Sequence, residues 1–281
     1  MSYRKKHIHP RIRGLKRKKQ FFQRHLFWII ILLIVIIAGL SYFVLFFPKF
    51  QIAKIDIVGN ENVTSDKIQH IVLSDVTKNI ITTGFLNIDS KSIFTVSTKN
   101  IRSDILRTFP EIEEITIDKH LPDSILLKIK ERKPYAVFCE QKPSKDSSES
   151  VGNTCFSLDG NGVIFKLLQR VPENTMVVYA PPTNKDIFNG ENVIEKKMAD
   201  TLIKVQNSLK NNFQIDVTEI LVSNPLIFTT SEHWQIYFDP TSDIDLQIAK
   251  MNALLKNEIL GDARKNLKYI YLQYKDKAFY R

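Results

Sequence analysis

An uncharged apolar run of 22 residues, Leu26–Phe47, follows directly on a purely basic arm. As a helix such a run rises about 33 Å, against about 30 Å of bilayer hydrocarbon. Its sequence, LFWIIILLIVIIAGLSYFVLFF, is apolar on every face, unlike the one-sided stripe of a surface helix. Trp28 and Tyr42 stand towards its ends, where amphipathic rings favour the membrane interface, and Pro48 marks its exit. A cleaved signal peptide has a shorter apolar core, roughly 7–15 residues, and ends in a small-residue cleavage site. No such site follows Phe47. The run is expected to be an uncleaved signal anchor rather than a buried core helix.

Met1–His25 carries ten Lys/Arg and no acid, while the whole chain has a net charge of +10, so Leu26–Arg281 is formally neutral. Basic flanks resist translocation, which predicts a cytoplasmic tail over residues 1–25, a span over 26–47 and everything beyond Pro48 outside. The anchor makes the chain a single-pass protein of the cytoplasmic membrane. Anionic lipid headgroups are the natural partner of the tail. Nucleic acid is not expected: a charged arm beside a membrane needs no phosphate backbone to explain it, and no nucleic-acid fold follows. The neutrality of the exported part argues against a polyanionic substrate.

Beyond the anchor, the residue pattern predicts an α+β protein in two parts. Ile52–Val58 is strand-like and ends at the turn signal Gly59-Asn60. Ser65–Leu73 and Thr98–Thr108 have helical spacing, and Phe109-Pro110 stops the second. Ile115 and Ile117, then Ile125, Leu127 and Ile129, alternate with polar residues around a turn at Leu121-Pro122-Asp123. The order is β-α-α-β-β, ending at Glu131, with no clear pattern over Ile80–Asp89. After Pro134, strands are predicted at Tyr135–Cys139, Cys155–Leu158 and Val163–Leu167, the last two joined by Asp159-Gly160-Asn161-Gly162 as a tight hairpin. Helices are expected over Glu191–Lys210 and Asp243–Leu260, and strands over Phe213–Val222, Leu226–Thr230, Trp234–Phe238, Leu267–Tyr274 and Ala278–Arg281. This reads as a mostly antiparallel sheet with two packed helices.

Cys139 and Cys155 both lie in the exported part and flank the polar stretch EQKPSKDSSESVGNT. A disulfide closing that loop is permitted in an oxidising compartment and would contribute on the order of 3 kcal/mol. A pair of free, half-buried thiols is the other reading, and the bridge is favoured.

No catalytic constellation is legible. His70, His120 and His233 have no metal-ligand partner at local spacing, and there is no H-E-x-x-H, G-x-S-x-G, P-loop or S-x-x-K motif. The remaining ligands of a calcium loop are missing around Asp159-Gly160-Asn161-Gly162. Glu113 and Glu114 are adjacent in a strand and point to opposite faces. Neither an enzyme, a metal site nor a cofactor is expected.

Several motifs, in order, carry a resemblance. They are Ile57-Val58-Gly59-Asn60, Phe109-Pro110-Glu111-Ile112, Leu121-Pro122-Asp123-Ser124 and Ile129-Lys130-Glu131-Arg132-Lys133-Pro134. Ser157-Leu158-Asp159-Gly160-Asn161-Gly162-Val163-Ile164-Phe165 and Tyr269-Ile270-Tyr271-Leu272-Gln273-Tyr274 complete the set. Behind a basic tail and a single anchor, this set resembles the bacterial cell-division family FtsQ/DivIB over nearly the whole chain. The resemblance implies a POTRA domain at residues 50–131 and a β-domain at 134–281. It implies a non-catalytic scaffold at the division septum that joins FtsB/FtsL-type proteins to septal wall synthesis. Other divisome proteins are expected at the POTRA domain and the transmembrane helix.

The family's partner adds a strand beside the last strands of the β-domain, where an open edge offers unpaired N–H and C=O groups. Carried over, that site falls on Tyr271, Leu272, Gln273, Tyr274, Lys275, Lys277, Phe279 and Tyr280. Gln273 stands where the family often has Arg, and Phe279 and Tyr280 take the place of an aromatic that some relatives carry further on. Plain strand packing is the competing account of the aromatics at Tyr269, Tyr271, Phe279 and Tyr280. Two other functions fit parts of the pattern: a POTRA-bearing export or assembly factor, and an exported cell-wall enzyme.

Overall fold

The structure, a computed structural model, describes residues 25–77, 79–83, 86–140, 154–180, 187–275 and 277–281. The basic tail and most of the stretch between the cysteines lie outside the described residues. Helix α1 (His25–Phe46) has 22 residues, none of them buried, and is long and apolar enough to cross a membrane. A 3-10 turn, Pro48–Phe50, follows it.

The next elements are β1 (Lys54–Val58), α2 (Ser65–Val76), β2 (Asn79–Thr83), β3 (Leu86–Asp89), α3 (Thr98–Thr108), β4 (Ile112–His120) and β5 (Ser124–Glu131). Strands β1, β5 and β4 form a three-stranded sheet in that order. Inside the expected β-α-α-β-β order lies an antiparallel hairpin, β2–β3, where the sequence has no clear periodicity. Helix α3 has the predicted bounds. The Ser97 side chain accepts the Asn100 N–H at its start, and Ile101 and Ile105 face inward. Along β5, Ile125, Leu127 and Ile129 are buried in turn, as their two-residue period requires.

Two backbone details hold the far end of β5. Gly59 has φ +86° and its Cα faces the Ile129 carbonyl, so that any Cβ would collide with it. Glu131 gathers the N–H groups of Glu61, Asn62 and Val63 and the Asn62 side-chain amide within 2.8–3.0 Å. Partial burial opposes ionisation of Glu131, but the converging N–H donors outweigh it and hold the carboxyl below its usual range.

The remaining strands are β6 (Pro134–Cys139), β7 (Cys155–Asp159), β8 (Ile164–Leu168), β9 (Val177–Tyr179), β10 (Val217–Leu221), β11 (Leu226–Thr230), β12 (Gln235–Phe238), β13 (Tyr269–Tyr271) and β14 (Phe279–Tyr280). They make one nine-stranded sheet in the order β14-β13-β12-β11-β10-β9-β6-β7-β8. Most pairings are antiparallel; β12–β13, β9–β10 and β6–β9 are parallel. The helices of this part are α4 (Lys196–Phe213), α5 (Ile244–Asn257) and, after α5, a short α6 (Asp262–Lys265). α4 buries Ala199, Leu202, Val205 and Leu209, and α5 buries Gln247, Met251 and Leu255, in a core that holds Phe138, Phe228, Trp234 and Phe238.

Three bounds differ from expectation for identifiable reasons. α4 begins at Lys196, not Glu191, because the backbone of 190–194 bonds to Gly162 and Ile164 instead of starting a helix. α5 begins one residue late because Asp243 is its N-cap, accepting the N–H groups of Asp245 and Leu246 at 3.0 and 3.1 Å. β13 stops at Tyr271, three residues short, because the carbonyls of Leu272, Tyr274 and Lys275 go to the Lys250 ammonium.

By compactness the chain separates into two units. One comprises the stretch that ends at Lys54, Val76–Val96 and Leu121–Ser124. The other comprises Ile55–Asp75, Ser97–His120 and Ile125–Arg281.

Candidate functional site at the open edge of the large sheet

The two ends of the nine-stranded sheet are finished differently. At β8 the chain folds back over the edge: the Ile164 N–H donates to Glu191 O at 3.0 Å, the Gly190 N–H donates to Ile164 O at 2.7 Å, and Val163 bridges Asn192. The turn before it is built to allow this. Asp159 accepts the N–H groups of Asn161 and Val163 at 2.9 Å, and Gly162 (φ +83°) lies so close to the Ile194 carbonyl that a Cβ would overlap it. Arg132 then reaches Asp159 at 2.5 Å and donates to Pro110 O at 3.0 Å. The Asp159 side chain is only 4% exposed. Glu113 is tied into the same cluster through Lys130 and Asn161.

At the other end, β14 pairs with β13 on one side and has no strand on the other among the described residues. Ile270 faces Tyr280 and Tyr271 faces Phe279. Arg281 and Tyr269 exchange backbone hydrogen bonds at 3.2 and 3.4 Å. In an antiparallel ladder bonded and non-bonded pairs alternate, so Tyr280 is the residue whose N–H and C=O point away from β13. An added strand would complete these groups.

The parallel register Tyr237↔Tyr271 and the pair Tyr271↔Phe279 place these three side chains on one face. The Tyr237 and Tyr271 rings lie 4.4 Å apart, and those of Tyr269 and Tyr271 4.7 Å apart. Tyr274 meets Phe279 edge to face at 5.3 Å. Burial, then the neighbouring Tyr271, push the Tyr237 hydroxyl above the usual tyrosine range. Tyr280 turns to the other side and donates its hydroxyl to Glu258 at 3.1 Å, which raises its own titration range.

Behind the edge lies a groove of about 270 Å³ between α5 and the chain after β13, lined by Leu246, Gln247, Lys250, Leu272, Gln273 and Tyr274 among others. Lys250 Nζ donates to the carbonyls of Leu272, Tyr274 and Lys275 at 3.3, 2.7 and 3.2 Å, fixing the turn that leads to β14.

Of the residues expected here, Tyr274, Lys275, Lys277, Phe279 and Tyr280 are exposed, and Tyr271 and Gln273 are half-buried. Leu272 is fully buried: its N–H donates to Tyr237 O and its side chain belongs to the core. Asp276 lies outside the described residues. Sequence reasoning missed Tyr237, Leu246 and Lys250. Tyr237 was findable, since Trp234, Ile236 and Phe238 alternate inward and leave it facing out. Lys250 sits on a helix 22 to 25 residues before the carbonyls it holds, and no local pattern marks that.

Cys139 and Cys155 are register partners across β6 and β7, with their sulfurs bonded at 2.07 Å. Among the described residues no cluster of His, Cys, Asp or Glu could hold a metal ion.

Residues 50–132 match the family model described as a POTRA domain, FtsQ-type. A comparison with curated proteins finds no match. The matched region contains the strands and helices from β1 to β5, and with the single apolar helix before it and the large sheet after it the resemblance read from the sequence holds. The chain thus carries a POTRA domain of the FtsQ type at residues 50–132, which supports its resemblance to the FtsQ/DivIB proteins.

Proposed function

We propose that this chain is a single-pass, non-catalytic scaffold of the bacterial division machinery, with its N-terminus cytoplasmic and its folded part outside, working at the septum. FtsB/FtsL-type proteins add a strand to β14 and are thereby joined to septal wall synthesis. The POTRA domain and α1 are further contact surfaces for division proteins, and the basic tail, outside the described residues, engages membrane lipid. One observation supports the docking site above all: the returning backbone closes the β8 edge at Ile164, while the Tyr280 N–H and C=O at β14 face outward with no strand beside them among the described residues. Main-chain bonds at such an edge supply affinity, and the exposed Phe279 and Tyr274 rings beside it supply choice of partner.

The test is imaging of an N-terminal fluorescent fusion in dividing cells depleted of the native protein. The fusion should gather at midcell and depletion alone should give filaments. A fusion carrying Tyr274→Lys with Phe279→Lys should fail to restore division. Uniform membrane signal with normal division would overturn the scaffold reading. Restoration by the double variant would overturn the β14 site.

A further inference from the structure

The end of the apolar helix is finished by a distant part of the chain. The last carbonyls of a helix have no partner within it. Here Ser92 Oγ donates to Val44 O at 2.9 Å and Ser90 Oγ donates to Leu45 O at 2.7 Å. Both serines are buried, and the Ser92 N–H in turn donates to Ser90 Oγ at 3.2 Å. The backbone adds to this grip: the Ile93 N–H donates to Phe50 O at 2.8 Å, and the Ile52 N–H donates to Lys91 O at 3.0 Å. Residues 90–93 are thus fixed at the depth of the helix's last turn.

An aromatic series runs out of the helix to the same place. Phe43 stacks on Phe47 at 4.3 Å, Phe47 meets Phe50 at 5.8 Å, and Phe50 meets Phe94 edge to face at 5.3 Å. Phe94 is 49% exposed although it ends this apolar series. Lys49 and Lys91, both exposed, flank it.

We infer that the stretch Ser90–Phe94 lies on the lipid surface opposite the basic arm, with Phe94 inserted at the headgroup boundary and Ser90 and Ser92 tethering it there. The inference rests on the reading of α1 as a membrane span. A 22-residue helix rises about 33 Å, the thickness of the hydrocarbon, which puts Val44 and Leu45 at its outer limit. Whatever those carbonyls hold shares that depth. Aromatic rings are favoured at that level, and lysines flanking them lay their stems on apolar surface and their ammonium groups among phosphates. The occupant is phospholipid rather than another protein because the Phe94 surface continues the lipid-facing surface of α1 through Phe43, Phe47 and Phe50.

The full chain in nanodiscs of phosphatidylethanolamine and phosphatidylglycerol tests this, with photoreactive p-benzoylphenylalanine replacing Phe94, Ile36 in mid-span or Leu167 on β8. After irradiation, intact mass should show phospholipid adducts at 36 and at 94, the latter several-fold above 167. Adducts at 36 with no excess at 94 over 167 would overturn this inference and leave the span standing. Absence of adducts at 36 would overturn the span and the inference with it. Ser90→Ala with Ser92→Ala should lower the adduct at 94 several-fold while leaving 36 unchanged; an undiminished adduct would overturn the tether.

Discussion

The β8 and β14 edges belong to one sheet, yet β8 is bonded at Ile164 by its own returning chain, while β14 has no strand on its outer side among the described residues. At β8, turn geometry, a buried ion pair and a returning backbone all serve closure. At β14 the strand is two residues long and is flanked by the exposed Lys275, Lys277 and Arg281. Shortness and flanking charge are how native proteins keep an open edge from pairing indiscriminately. The difference teaches that the openness of β14 is restrained rather than neglected: its aromatic face stays accessible, while its shortness and flanking charges limit what can pair there.

If that contrast is right, substitutions at the covered edge damage folding, whereas substitutions at the open edge damage binding and spare folding. The largest effect is expected from Asp159→Ala, which strands the Arg132 guanidinium and frees two turn N–H groups. Losing one partner of a buried pair costs about 3–5 kcal/mol, readable as a lowered urea midpoint of the detergent-solubilised chain. Next, Gly162→Ala forces a Cβ against the Ile194 carbonyl at positive φ and should cost about 1–3 kcal/mol by the same assay.

At the open edge, Tyr280→Pro removes the outward N–H without touching the β13 ladder. It should weaken binding of an FtsB/FtsL-type pair about tenfold, equivalent to about 1.4 kcal/mol, in a titration against the full chain. Stability should stay within about 0.5 kcal/mol, and a larger loss would mean the edge is structural. The smallest effect is expected from Lys250→Met, which keeps the aliphatic stem but frees the turn carbonyls. Binding should fall a few-fold and stability by about 1 kcal/mol; unchanged binding would show that the turn needs no fixing.

How much of this was legible in the sequence depends on the range of the interactions that decide it. The apolar helix, α3, the alternation along β5 and the hairpin at Asp159–Gly162 are set by neighbours a few residues apart, and their patterns are plain. The β2–β3 hairpin was not, because residues 79–89 follow no sustained period. Strand β9 was missed as well. It has three residues and its place between β6 and β10 is fixed by parallel pairing with distant segments. At the candidate site, the resemblance located the last strands, but it could not show that Leu272 turns inward or that Tyr237 joins the aromatic face from another strand. Both follow from register, which only the assembled sheet defines.

The bond between Cys139 and Cys155 joins adjacent strands at the very root of the insert they delimit. Whatever length of chain leaves β6 there, its two ends stay clipped together. Lengthening a loop with fixed ends costs only about 0.6 kcal/mol per doubling. The insert is therefore a natural port of entry: an affinity tag or reporter placed between the cysteines should leave the sheet, its β14 edge and the POTRA domain undisturbed.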